Sequence, residues 1–197
     1  RQTLQPDRIL IINTEESLFH SKEFGKLPQG EIIHIKKSEF DHGGTRNRAA
    51  AMCDGDIIVL LTQDAIPADE YLLENLTKPF EDPEVCAAYG RQMADWKDNP
   101  VEAYTRTFNY PKESRIKSKE DLPVLGIKTF FCSNVCAAYR KSVYDAMGGF
   151  PLHTIFNEDM IFASRLIEAG KKIAYTADAK VWHWHNYGAV AQCKRHF

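Results

Sequence analysis

The sequence predicts an α/β domain with a parallel or mixed central sheet flanked by helices, and three observations carry that expectation. Short β-branched runs at Ile9–Ile12, Ile32–Ile35 and Ile57–Leu61 recur between stretches of helical pattern. Their apolar residues are continuous rather than alternating, as expected of strands covered on both faces. Strand–helix alternation then gives way to a more mixed second half, which fits α/β rather than all-α or all-β architecture. At 197 residues the chain is read as one domain spanning 1–197.

The elements follow in order. The segment Arg1–Asp7 carries no element and runs straight into the first strand. The chain is therefore expected to begin inside a larger pattern, and to stop inside one at Phe197. A helix is predicted from Thr45 to Met52, with Thr45 as its cap behind Gly43-Gly44. The strand Ile57–Leu61 ends on Thr62-Gln63-Asp64. A helix is predicted from Asp69 to Phe80, started near Pro67 and stopped by Glu81-Asp82-Pro83. Cys86–Tyr89 reads as a strand. Residues 91–128, interrupted by Pro100, Pro111 and Pro123, read as a long excursion over the surface. Thr129–Tyr139 is strand-like, with a short helix from Arg140 and a turn at Gly148-Gly149 behind it. From Glu158 to Ala169 apolar residues form a wide helical face, opened by Asn157 as cap and closed by Gly170. Ile173–Tyr175 and Lys180–Trp184 are the last strand candidates.

Composition removes several function classes. A hydrophobic content of 44% excludes intrinsic disorder. The 25 Lys and Arg residues against 27 Asp and Glu give no basic excess, so no nucleic-acid partner is expected. No apolar run approaches the ~18 residues of a membrane span, which leaves peripheral membrane association open. The 5 cysteines form no C-x-x-C pair and carry no signal-peptide context, so free thiols in the cytoplasm are expected.

Four segments could carry chemistry. In Thr62-Gln63-Asp64 an apolar strand ends on a carboxylate, where α/β sheets bind ligands; Asp64 either holds a divalent cation or caps the turn before Pro67. Gly43-Gly44 permits close backbone approach to a ligand, and Arg46 beside Asn47 at a helix start suits phosphate; the alternative is a solvated turn. Glu158 and Asp159 serve either the helix dipole or general-base catalysis. His183 and His185 would share one face of a strand, as a metal or phosphate site or as packing between Trp182 and Trp184.

Taken together, Phe40-Asp-His-Gly-Gly-Thr-Arg-Asn47, Leu61-Thr-Gln-Asp-Ala-Ile-Pro67, Gly90-Arg-Gln92, Phe108-Asn-Tyr-Pro111, Ser133-Asn134, Gly148-Gly-Phe-Pro151, Glu158-Asp159 and His183–Tyr187 resemble the inverting glycosyltransferases of family 2, bacterial rhamnosyltransferase-like branch. The resemblance implies a GT-A fold, a mixed and mostly parallel sheet, and a hexosyltransferase activity. It implies a divalent cation (Mg or Mn) at Asp64 with His183 or His185, and donor contacts from Asn13, Arg46, Asn47, Thr62 and Gln63. Asp159 would be the base, with Glu158 the alternative. The donor would be a nucleoside-diphosphate sugar, such as a rhamnose donor, and the acceptor a surface glycan or lipid-linked glycan at the inner face of the membrane. The family's opening nucleotide-binding strand has no counterpart in these residues, and Thr62 replaces the first acid of the D-x-D motif. A non-catalytic nucleotide-sugar or glycan-binding module is the alternative from another class.

Overall fold

The computed structural model describes residues 1–19, 30–95, 97 and 100–184. Strands β1 (Ile9–Thr14) and β2 (Gly30–Ile35) pair in parallel as a two-stranded sheet of their own. Helix α1 (His42–Ala51) leads into β3 (Ile57–Leu61), an edge of the six-stranded main sheet. That sheet has the order β3-β7-β5-β8-β4, with β4 at Ile66–Pro67, β5 at Val85–Met93, β7 at Cys136–Arg140 and β8 at Lys172–Trp182. The short β6 (Arg115–Lys117) pairs with β8 off this path. The remaining helices are α2 (Leu72–Thr77), α3 (Pro100–Asn109), α4 (Leu122–Leu125), α5 (Lys141–Ala146) and α6 (Glu158–Glu168).

The α/β architecture and the mixed sheet agree with expectation, but the pairing is not mostly parallel. In the main sheet only β5–β8 pairs in parallel, while β3–β7, β5–β7, β4–β8 and β6–β8 are antiparallel. The reason is β7, which runs back between β3 and β5. Those two strands and β8 still share a direction. Their carboxyl ends, together with the amino end of β7, therefore meet at one sheet edge, where ligands of such sheets bind.

Strand alternation divides the core. Tyr89, Tyr139, Ile173 and Tyr175 face one side, packing with Tyr144, Phe150, Phe162 and Leu166. Ala88, Cys136, Ala138 and Ala174 face the other, against Leu72 and Leu76 of α2. The small residues on this second face let the short α2 approach the sheet closely, and burying a side chain such as Leu76 contributes about 1.5–3 kcal/mol. The expected double-sided burial of the first two strands does not hold: β1 is half-buried along its length and β2 is largely exposed. A two-stranded ribbon pairing apart from the main sheet lacks the second covering layer that the main-sheet strands have.

Other differences are local. The two final strand candidates are one strand, β8, irregular where Gly90 pairs with Thr176 but Arg91 with Lys180. Gly90 permits this, since a Cβ there would meet the Ala179 carbonyl oxygen at 2.6 Å. The helix expected at Asp69–Phe80 is α2 followed by a 3-10 turn, Lys78–Glu81, and the supposed excursion at 91–128 contains α3, β6 and α4. Asp41, not Thr45, caps α1, its carboxylate accepting from the Gly44 amide at 2.6 Å. Asn157 precedes α6 in the left-handed region, φ 68°, and its side chain makes no capping bond. The four described cysteines are free, and burial pushes the Cys132 and Cys136 thiols up to about 12, which makes them inert core groups. Cys193 lies outside the described residues. Among the described residues no helix is long and apolar enough to cross a membrane.

Candidate active site

At the shared edge of the main sheet the start of α6 meets α1. The Arg46 Nη1 atom donates to Glu158 Oε1 at 2.8 Å and to the His42 carbonyl at 3.0 Å. Glu158 is buried, and its Oε1 also accepts from Asn134 Nδ2 at 3.2 Å. Its neighbour Asp159 is held differently. One carboxylate oxygen accepts the Asn134 amide at 3.0 Å, the other the Met160 amide at 2.8 Å. Burial raises the Asp159 pKa, a shift opposed by the backbone donors and by the Arg46 charge and reinforced by the Glu158 charge. Two adjacent acids thus have separate roles: Glu158 neutralises a guanidinium, and Asp159 is an oriented carboxylate with heightened proton affinity.

Gly43-Gly44 has a different explanation from the one its sequence suggested. A Cβ on Gly43 would lie 2.0 Å from the Pro151 carbonyl oxygen, so the close backbone approach is to the chain's own turn. Asn47 completes that contact: Nδ2 donates to the Phe150 carbonyl at 2.9 Å, while Oδ1 accepts the Phe150 amide at 2.9 Å and the Tyr144 hydroxyl. The Asn47 carboxamide therefore clamps α1 to the 148–151 turn.

The second constellation sits at the ends of β3 and β8. Asp64 Oδ2 lies 3.4 Å from His183 Nε2, with the Asp64 side chain 38% exposed and the imidazole buried. His183 Nδ1 lies 2.9 Å from Gln92 Oε1 at the end of β5. Among the described residues no group of three or more His, Cys, Asp and Glu side chains converges, and Asp64 and His183 are the two candidate cation ligands they bring together here. His185 lies outside the described residues.

Ser133-Asn134, at the entrance to β7, connects the constellations. Ser133 Oγ accepts from Gln92 Nε2 at 2.9 Å, while Asn134 donates to both acids and its Oδ1 accepts the Tyr139 hydroxyl at 2.8 Å. Ser133-Asn134 and Gly90-Arg-Gln92 stand out in the sequence as motifs, but the residue types of Asn134 and Gln92 alone assign them no task. The other expected donor contacts are scattered. Asn13 donates to the Glu15 carbonyl at 2.9 Å and lies 2.9 Å from His34 Nδ1 within the two-stranded sheet. Gln63 is exposed. The Thr62 hydroxyl is shielded and has no hydrogen-bond partner among the described residues, while its amide donates to Val135 at 3.2 Å.

The family model described as glycosyl transferase family 2 matches residues 1–148. The chain is 47% identical over 198 aligned residues to the O-antigen chain rhamnosyltransferase WbaN of Salmonella anatum, and 44% identical to the O-antigen chain rhamnosyltransferase RfbN of Salmonella typhimurium. Both alignments cover 100% of this chain but 62% and 63% of the relatives, so the chain spans a little over three fifths of their length. A solved mannosyltransferase from Pyrobaculum calidifontis, in complex with GDP-Man and Mn2+, superposes with a TM-score of 0.63 at 16% identity, over 98% of this chain and 61% of that one. This likeness is one of fold, the GT-A arrangement expected above.

Proposed function

Since the chain belongs to glycosyl transferase family 2, we propose that its site performs an inverting, cation-dependent transfer of a sugar from a nucleoside diphosphate to a surface-glycan or lipid-linked acceptor. The names of the Salmonella relatives support a deoxysugar such as rhamnose as the group moved. The observation that carries the reading is the division of labour between Glu158 and Asp159. An inverting displacement needs one carboxylate that is fixed in direction and able to take a proton. Asp159 has both properties; Glu158 is engaged by Arg46.

The steps of this chain's own groups follow. Asp159 accepts the proton of the acceptor hydroxyl as that oxygen bonds to the anomeric carbon, and the bond from that carbon to the diphosphate oxygen breaks on the opposite face. Asn134 holds the direction of Asp159 through its backbone N–H. Arg46, ion-paired with Glu158, places a positive charge near Asp159 that opposes the effect of the Glu158 charge on the base.

The residues present also fit a divalent cation. Two ligands at right angles about 2.1 Å from an ion stand roughly 3 Å apart, and Asp64 Oδ2 and His183 Nε2 stand 3.4 Å apart. Bound there, Mg2+ or Mn2+ would supply charge stabilisation to the departing diphosphate. The exposure of Asp64 leaves room for substrate oxygens to complete the coordination.

The test is a screen of nucleoside-diphosphate sugars with the whole protein and Mn2+, reading the anomeric configuration of the product by NMR. Inverted product, lost in Asp159→Asn, is expected. Retained configuration, or donor binding without transfer to any glycan acceptor, would overturn the reading in favour of a different mechanism or a binding module.

A further inference from the structure

Gln92 has no task in the chemistry above, yet it is 2% exposed and contacts four polar side chains. Its Oε1 accepts from Arg106 Nη1 and faces His183 Nδ1 at 2.9 Å; its Nε2 donates to the Tyr110 hydroxyl at 2.6 Å and to Ser133 Oγ at 2.9 Å. A guanidinium can only donate, so the amide atom facing Arg106 must be the oxygen. Reversing the amide would set its NH2 against Arg106. Arg106 is itself fixed by Glu102, 2.9 Å away and one turn earlier on α3, with a buried carboxylate.

This orientation has a consequence for the imidazole. At 2.9 Å an amide oxygen would repel a lone pair on Nδ1, so the contact is favourable when Nδ1 carries the hydrogen. A neutral imidazole has a single N–H, so Nε2 then presents its lone pair. Nε2 is the nitrogen that lies 3.4 Å from Asp64.

We propose that the Glu102–Arg106–Gln92 relay locks His183 in its Nδ1–H tautomer, so that Gln92 and Arg106 are positioning residues that turn Nε2 into a ligand beside Asp64. The inference rests on the reading of Asp64 and His183 as the cation pair. It explains why α3, in a segment that looks like surface excursion, sends a buried ion pair toward the sheet edge. It also gives Gly90-Arg-Gln92 a physical purpose: Gly90 of β5 admits the irregularity in the neighbouring β8, and Gln92 stands two residues on, near the end of β5.

Side-chain 15N NMR of His183 in the cation-free whole protein, assigned by its loss in His183→Asn, reads the tautomer directly. Mn2+ affinity is read separately by calorimetry. The wild type should show Nδ1–H. Gln92→Leu should lose that state and bind Mn2+ about 10–100-fold more weakly, the usual consequence of losing an outer hydrogen-bond partner of a metal ligand. Gln92→Glu, which keeps an acceptor for both Arg106 and Nδ1, should retain the tautomer and the affinity. Arg106→Met, which frees the amide to reverse, should give a mixture of tautomers, and it carries the test if Gln92→Leu does not fold. An Nε2–H wild type, or a tautomer unchanged in both Gln92→Leu and Arg106→Met, would overturn the proposal. A Gln92-dependent Nδ1–H state with no Mn2+ binding in any form would uphold the relay and remove the cation reading of the site.

Discussion

Asp159 and Asp64 are both aspartates at the end of a regular element, but their surroundings differ in almost every respect. Asp159 receives a backbone N–H on each oxygen, and burial raises its pKa. Asp64 stands on a turn, 38% exposed, facing a buried imidazole. The contrast teaches what each chemistry asks of a carboxylate. A general base must be held in direction and must value a proton, which partial burial supplies. A ligand that shares a cation with substrate must be charged and must leave space beside it, which exposure supplies. Sequence alone shows two acids near element ends; the surroundings tell them apart.

The largest expected effect follows from Asp159. Asp159→Asn keeps the shape and loses the proton acceptor, so turnover should fall by about 10²–10⁴-fold with donor binding preserved. Glu158→Gln should retain far more turnover, because its carboxylate serves Arg46. Steady-state transfer with both variants checks this, and equal losses would erase the distinction between the two acids. Asp64→Asn should act on the other half of the comparison. It should raise the Mn2+ concentration needed for half-maximal rate by at least the roughly 10-fold that even an outer partner is worth, an effect that excess Mn2+ partly restores. Asp159→Asn should show no such rescue.

The pH profile sharpens the same contrast. Because burial holds the Asp159 carboxyl above the ordinary value of about 3.9, the acid limb of kcat/KM should fall above that value. The neighbours move it in opposite directions. Arg46→Met removes a positive charge that favours the ionised carboxylate, so the limb should move to higher pH. Glu158→Gln removes a negative charge that opposes it, so the limb should move lower. A limb insensitive to both would mean that it does not report Asp159. Arg46→Met should also destabilise the fold, by no more than the about 3–5 kcal/mol of a broken buried ion pair, since Arg46 is 19% exposed. Urea unfolding measures it. From the sequence, Arg46 reads as a donor contact or a solvated turn residue; the structure adds an ion pair with Glu158.

That ion pair shows where the sequence stops being informative. Asp64, Glu158, Asp159 and His183 are legible because an acid after an apolar strand, acids at a helix start and a His at a strand end are local patterns. The partner of Arg46 is not local, lying 112 residues away. Asn134 and Gln92 are short polar residues whose meaning is set by what surrounds them after folding, so their motifs could be quoted without a mechanism. The fold divides in the same way. Ile57–Leu61 and the helix at Glu158 follow from hydrophobic period, whereas the reversed insertion of β7 between β3 and β5 depends on pairing between distant segments. Thr45 and Asn157 are both acceptable caps by residue type, and in each case the cap was decided by neighbours: Asp41 reaches Gly44 first, and Asn157 takes a left-handed turn instead.

The smallest effect concerns what stands behind the base. Lys117 on β6 is buried, with its ammonium donating to the Lys128 carbonyl at 3.3 Å and to the Phe131 carbonyl, and lying 4.8 Å from the Tyr89 ring centre. It thereby ties down the segment that leads into Ser133-Asn134. Burial lowers its pKa to about 8, below its ordinary 10.5. Below pH 8 both folded and unfolded chains hold the proton, and stability does not depend on this group's titration. Between about 8 and 10.5 the unfolded chain keeps the proton that the folded chain has lost, so Lys117 makes stability rise with pH. The buried thiols and phenols pull the other way, because their raised values mean that the unfolded chain ionises first. Lys117→Met has the same thiols and phenols, so the difference between wild type and variant isolates the lysine. Urea midpoints measured from pH 7 to 10 should show that difference moving in favour of wild type only above about pH 8. A difference independent of pH would mean that Lys117 is as solvated as a surface lysine, and that the backing of Asn134 is no more buried than the turn that carries Asp64.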